Sequence, residues 1–409
     1  MKRLLVLGAG TGGSMLANKL VRALDPRAWQ VAVVDQDDDH VYQPGLLLLP
    51  FGTYRPRQLV KSRRALLDAE VDFVLGEVAG VDTAARTVAL ADGRTLGWDL
   101  LVVATGAHPR PDKVPGLLGE GWGAERGTFY TLPGAIALAE RLRTFERGRL
   151  VVHVADLPIK CPVAPLEFAF LADAFLRERG VRDQVELVYA TPLDGAFTKP
   201  VASRVLGGMM QARGIMVESE LVVERVDGPA RTVHAYDGRA LDYDLLVSIP
   251  MHLGAPGLEG SGLVDDLGFV TVDRHTLQST VHPDVFGVGD ATNAPTSKAG
   301  AVAHFMGEVL FDNLLRHIAG QAPIPAFDGH ANCFIETGHG KAMLIDFSYE
   351  DEPLPGRFPL PGVGPMTLLE ESHVNHVGKL AFKWMYWNLL VRGRDLPFEA
   401  RHASAGTWS

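Results

Sequence analysis

Cysteine is scarce in this sequence: Cys161 and Cys333 are the only two among 409 residues. Two thiols so far apart cannot build a disulfide framework or a four-ligand zinc site, so they are either inert core residues or a redox pair. Positive charge is short as well. A formal net charge of −10 argues against a general nucleic-acid binder, which needs a basic face to meet phosphates, and leaves room only for a local basic patch. Long apolar runs are missing, and nothing reaches the roughly 18 residues of a spanning helix. Any membrane contact is therefore expected at the surface. The opening MKRLLVLGAG starts like a signal peptide, but its apolar run is too short and leads into a glycine motif, so no signal peptide is expected. His373 and His376 lie three apart on an expected helix without further ligands, which predicts a solvated face and no metal. His40 and His108 likewise stand outside any constellation.

Hydrophobic residues make up 47% of the chain and charged ones 22%, enough for two or three domains with sizeable cores. KRLLVLGAGTGGSMLANKLVRAL reads as a buried strand, a tight glycine turn and a helix, and VAVVDQDD as a second strand ending in acid. That is the start of a Rossmann unit in an α/β fold. Gly8 makes the turn, Gly10 lets the backbone approach a pyrophosphate and Gly13 permits close helix packing, while Asp35 ends the next strand where a ribose would sit. A glycine turn that binds nothing is the alternative, disfavoured because strand, helix and acid all fall in place.

Residues 71–103 alternate and turn through DG, as in a small antiparallel insertion before a buried strand. Then comes ATG, with Thr105 and Gly106. Further on, VHPDVFGVGDATNAPTSKAG carries a strand into Gly289 and Asp290, followed by a loop and the apolar helix AVAHFMGEVLFDNLLRHI. These three motifs, in this order, resemble the FAD-binding half of flavoproteins with two dinucleotide-binding domains. A helix after the GD turn would aim its amides at the flavin end of FAD and favour the charge of its reduced form. Asp290 would accept hydrogen bonds from the ribityl or neighbouring amides, and a helix-capping role is compatible with that.

A second nucleotide turn is expected between the strand RLVVHVA and the helix LEFAFLADAFL. Its glycines are absent. Pro158, Lys160, Cys161, Pro162 and Pro165 stand there instead, stiffening the chain and removing amide donors, so nicotinamide binding is not expected. What remains is a cysteine beside Lys160 and a helix start, two influences expected to lower a thiol pKa. A small hydrophobe wedged beside the sheet is the ordinary reading of such a cysteine. The other thiol, Cys333, lies in HANCFIETGHGKAMLIDFSYEDEP, which reads as two strands around a glycine turn.

At this point the chain resembles the sulfide:quinone oxidoreductases, particularly the two-cysteine kind that includes the mitochondrial enzyme. HVYQPGLLLLPFG resembles the family's YQP segment beside the flavin, which places Pro44 there; PIKCPVAPLE resembles its first cysteine loop; and DVFGVGDATNAPTSKAGAVA resembles its GD and lysine segment, with Lys298. NCFIETGHGKAMLIDFSYEDEP resembles its second cysteine strand and MYWNLLVRG its terminal YWN helix. The resemblance implies FAD as cofactor and a Cys161–Cys333 disulfide that takes up sulfide, leaves sulfane sulfur as a persulfide and sends two electrons through FAD to a membrane quinone. Lys160 would hold anionic sulfur near the loop, and a thiol or sulfide would accept the sulfur. Many bacterial members carry a third cysteine after ATG; GAERGTFYTLPGAI has none, which excludes flavin attachment through it and argues against long polysulfide chains. His304 stands where the family pattern leads one to expect glutamine.

GKLAFKWMYWNLLVRGRDLP sets Phe382, Trp384, Tyr386 and Trp387 among Lys379, Lys383, Arg392 and Arg394 on a nearly apolar helix. Aromatics at the interface with basic residues for lipid phosphates suit a peripheral, monotopic anchor, expected on the cytoplasmic side. A helix packed in the core, or at an interface with another copy of the chain, is the alternative. By resemblance Phe382 and Tyr386 would line a quinone path. The expected domains are an FAD-binding unit over 1–110 and 265–325, a second Rossmann-like unit without the NADH fingerprint over 111–264, and a C-terminal unit with the cysteine strand and amphipathic helices over 326–409. Two rival activities share much of this pattern: the flavoprotein subunit of a flavocytochrome c sulfide dehydrogenase, and a flavin-dependent persulfide or redox sensor.

Overall fold

The computed structural model describes residues 1–360 and 362–396, so the end of the expected C-terminal unit, 397–409, lies outside the described residues. Two five-stranded parallel sheets dominate. The first runs, in spatial order, Val285–Gly287, Leu100–Val103, Lys2–Leu7, Trp29–Asp35 and Asp72–Leu75. Its central strands are apolar and buried over Leu4–Leu7 and Leu100–Val103, as a parallel sheet covered by helices requires. The strand Val285–Gly287 returns to this sheet from far along the chain, which brings Gly289 and Asp290 to the end where the glycine motif sits.

The second sheet repeats the plan: Arg126–Gly127, Leu245–Ile249, Gly148–Val154, Val185–Ala190 and Met216–Glu218, all parallel. Each sheet carries a three-stranded antiparallel insertion, over Val78–Gly97 and Val223–Asp242. The duplication is visible in sequence as TVALADGRTLGWDLLVV and TVHAYDGRALDYDLLVS, each a DG turn feeding a buried strand. A two-stranded link, His108–Pro109 against His252–Leu253, ties the two halves together.

A third, mostly antiparallel sheet holds Ala331–Gly338, Lys341–Phe347, Gly364–Leu368 and Gly356–Leu360. Its first strand lies flat on the helix Ala164–Glu178: a Cβ on Gly338 would sit 2.5 Å from the Ala174 Cβ. The helix His373–Met385 covers the other side and runs on through a wider turn, Tyr386–Leu390. That turn is core rather than surface: Tyr386, Trp387, Leu390 and Val391 are all buried.

Candidate active site

The glycine turn is built by contact. A Cβ on Gly13 would fall 1.8 Å from the Gly8 carbonyl oxygen, so only glycine lets the helix Thr11–Ala23 close on the strand. Around Gly10 nothing lies within 4 Å of where a Cβ would be, leaving open space at the helix N-terminus of the kind a pyrophosphate fills. Asp35 secures the turn from beneath, with Oδ2 accepting the Ala9 N–H at 2.6 Å and Oδ1 facing Arg63 at 2.8 Å. Across the turn, Thr105 Oγ1 is buried without a hydrogen-bond partner among the described residues, and Gly106 follows it. Asp290 opens out of the turn at Gly289; burial raises its carboxyl pKa against the pull of Lys298 and Lys160. Open space at the glycine, an orphaned hydroxyl and a half-buried acid at the far end fit an extended dinucleotide such as FAD. Pro44 begins the short helix Pro44–Leu48 on the chain that follows Asp39–Val41.

The Cys161 loop joins this end of the first sheet. The Cys161 N–H donates to the Lys298 carbonyl at 2.6 Å, and the Tyr130 hydroxyl donates to the Lys160 carbonyl at 2.8 Å. Between these ties Cys161 takes a φ of 44°, in the left-handed region that a side chain enters only when its surroundings enforce it. Lys298 Nζ caps the Asp290 and Thr292 carbonyls at 3.0 and 2.8 Å, and its burial lowers its pKa to about 8. Lys160 is buried beside Asp290, and desolvation lowers its pKa although Asp290 opposes this.

Cys333 lies buried on the first strand of the third sheet, and its charge bears on the half-buried Cys161; both are free thiols. The expected low thiol pKa is overturned. Burial pushes the Cys161 thiol well up, Glu167 and Cys333 add to that, and the Lys379 ammonium only partly offsets it. Cys333 is pushed up to about 12, again chiefly by burial and then by Glu167. The sequence placed a lysine next to Cys161, but the influence that counts is desolvation.

Several residues of the site were read otherwise from the sequence. Glu167, six positions after Cys161, is 1% exposed, accepts the Glu336 N–H at 2.7 Å and pairs with Lys379. Lys379 is therefore a buried ion-pair partner and not a lipid-facing base; burial works against its charge, but Glu167 and Glu336 outweigh that and raise its pKa. His376 faces inward to Glu336, Nδ1 to Oε2 at 2.9 Å, whereas His373 is exposed and bonds the Gly340 carbonyl. Tyr386 is buried, its hydroxyl engaged by Thr11 and His40, while Phe382 is half-buried beside it at 6.3 Å between rings. Tyr386 thus meets the glycine motif through Thr11. His304 packs against Met15 and Phe305 in the core of the helix Gly300–Ile318. One signal for this network was present in the sequence: a lone glutamate inside the apolar run LEFAFLADAF.

The two duplicated parallel sheets and the glycine turn give a fold of two dinucleotide-type domains, the first with a cradle that fits FAD. Residues 2–153 match the family model of pyridine nucleotide-disulphide oxidoreductases. Over nearly its whole length the chain is similar to mitochondrial sulfide:quinone oxidoreductases: 27% identical to that of Mus musculus and 28% to that of Dictyostelium discoideum, with 95% and 96% of this chain and 86% of each relative covered. The crystal structure of the sulfide:quinone oxidoreductase of Aquifex aeolicus superposes with a TM-score of 0.79 at 20% identity, covering 98% of this chain and 96% of that one.

Proposed function

We propose that this chain is a sulfide:quinone oxidoreductase in which Cys161 and Cys333 form the redox disulfide. What supports the reading is Cys161 on a loop tied to Lys298 at the GD end of the dinucleotide cradle, with Cys333 near enough for its charge to bear on that thiol. Hydrosulfide attacks the disulfide, R–S–S–R′ + HS⁻ giving R–S–SH + R′–S⁻. The terminal sulfur then passes to an acceptor thiolate or sulfide, which returns that cysteine as a thiolate. The two thiolates close the disulfide again by giving up two electrons. FAD held in the cradle would supply the two-electron acceptor for that pair, with a quinone as the final oxidant. Lys160 and Lys298 supply positive charge beside the loop for anionic sulfur, and the Lys379 ammonium offsets thiolate charge in a site where burial opposes it.

The quinone and a lipid surface enter through the terminal helix. Val374, Val377 and Trp384 are exposed at 45, 62 and 63% along one face of His373–Met385, a face suited to lying on a membrane. No helix among the described residues is long and apolar enough to cross one.

The test is anaerobic. Stoichiometric sulfide should bleach the flavin absorbance of the purified protein, decylubiquinone should restore it, and both Cys161→Ser and Cys333→Ser should abolish the bleaching. Flavin that stays oxidised with sulfide in the unmodified protein would overturn the assignment.

A further inference from the structure

Four polar groups from three segments form a directed chain at the glycine turn. The Tyr386 hydroxyl lies 2.8 Å from Thr11 Oγ1 and 2.7 Å from His40 Nε2. His40 Nδ1 lies 3.1 Å from the Ala9 carbonyl oxygen. A carbonyl can only accept, so Nδ1 carries the proton. Burial, with Arg63 nearby, holds the His40 pKa down to about 3, so the ring is neutral and Nε2 accepts. Tyr386 therefore donates to His40, and Thr11 donates to Tyr386. The order Thr11 to Tyr386 to His40 to Ala9 starts and ends inside GAGTGG.

This chain fixes a peptide plane. The Ala9 N–H is held by Asp35 at 2.6 Å, and its carbonyl receives both His40 and, at 2.9 Å, the Ser14 hydroxyl. Because a trans peptide is planar, turning the Ala9 carbonyl toward His40 turns the Gly10 N–H the opposite way, away from His40. A glycine-rich turn left untied would sample other orientations. The terminal segment is fastened along the same helix: Asn18 donates to the Val391 carbonyl at 2.9 Å, and Arg22 donates to the Arg392 and Gly393 carbonyls at 2.7 Å each.

We propose that Tyr386 and His40 are positioning residues for the dinucleotide, a latch by which the terminal segment holds the pyrophosphate-binding turn in its binding orientation. The proposal rests on FAD occupying the cradle described above. Its test is FAD affinity of the apoprotein, read by quenching of flavin fluorescence, together with the rate of flavin release from the holoprotein. Tyr386→Phe keeps the buried ring and removes only the hydroxyl; His40→Leu breaks the chain at its other link. Each should weaken FAD binding about tenfold, the scale of one lost buried hydrogen bond with its partner left unsatisfied. The double variant should be no weaker than the weaker single one, because both cut the same chain. Thr11→Ser, which keeps the hydroxyl, should bind FAD as the unmodified protein does. Wild-type affinity and release in Tyr386→Phe would overturn the latch. So would a lowered melting temperature of its apoprotein with FAD affinity unchanged. An unmodified protein that takes up no FAD would sink the flavoprotein reading itself.

Discussion

The Glu336 backbone N–H donates to Glu167 Oε1 across 2.7 Å. Glu167 stands six residues past Cys161 on the helix Ala164–Glu178, and Glu336 three past Cys333 on the strand Ala331–Gly338. One buried carboxylate therefore ties the helix that follows the Cys161 loop to the strand that carries Cys333, and Lys379 pairs with it while also donating to the Phe334 carbonyl at 3.3 Å.

Removing that carboxylate should be expensive for the fold. Glu167→Ala strands the Lys379 ammonium in the interior, a loss of about 3–5 kcal/mol by the usual scale of a broken buried pair. Glu167→Gln keeps an oxygen for the Glu336 N–H and should lose distinctly less. Urea denaturation of the two variants should rank them in that order; equal stability would mean that the pair does not join the elements.

Both thiols are held above their ordinary pKa by burial, Cys333 at about 12 against 9.0. A group whose folded pKa is raised contributes stability that is complete below its unfolded value and is lost as pH climbs through the folded one. The dithiol form should thus lose stability from about pH 9 upward, while the disulfide form, having no thiols to titrate, should not. Melting curves of the two forms across that range test this, and iodoacetamide should label the reduced protein slowly at neutral pH.

The turn after the strand Gly148–Val154 carries Pro158, Pro162 and Pro165 where a pyrophosphate would need glycines. NADH should leave the flavin oxidised under conditions in which sulfide bleaches it. Reduction by NADH at a comparable rate would show that this turn does not exclude the nucleotide.

Much of this was legible because it is local. GAGTGG, Asp35 and the GD turn each declare themselves within one strand, turn and helix, and the missing glycines of the second turn do the same. The buried network was not. Glu167, Glu336, His376 and Lys379 meet only through the fold, up to 212 positions apart, and a lysine on an apolar helix reads as a surface base until its partner is known. His40 and Tyr386, 346 positions apart, posed the same difficulty. The thiol pKa failed for a different reason: a neighbouring lysine is visible in sequence, whereas desolvation is a property of the assembled core.

The exposed face of the terminal helix makes the last prediction. Val374, Val377 and Trp384 recur at the three- and seven-residue spacing of one helical face, while Asn375 is buried and His376 and Lys379 turn inward to the carboxylates. In the sheet that this helix covers, Leu360 and Val363 are exposed at 58 and 76% around the hairpin between Gly356–Leu360 and Gly364–Leu368. Each large apolar side chain moved out of water is worth about 1.5–3 kcal/mol, so replacing two of them by acid removes that gain and adds a charge to be kept in water. Val377→Asp with Trp384→Asp should therefore lower partitioning onto neutral phosphatidylcholine vesicles by more than about tenfold. Sulfide bleaching of the flavin in solution should be unchanged, because neither residue reaches the thiols. Equal sedimentation of this variant and the unmodified protein with vesicles would remove the face from the membrane contact and leave the quinone to enter elsewhere.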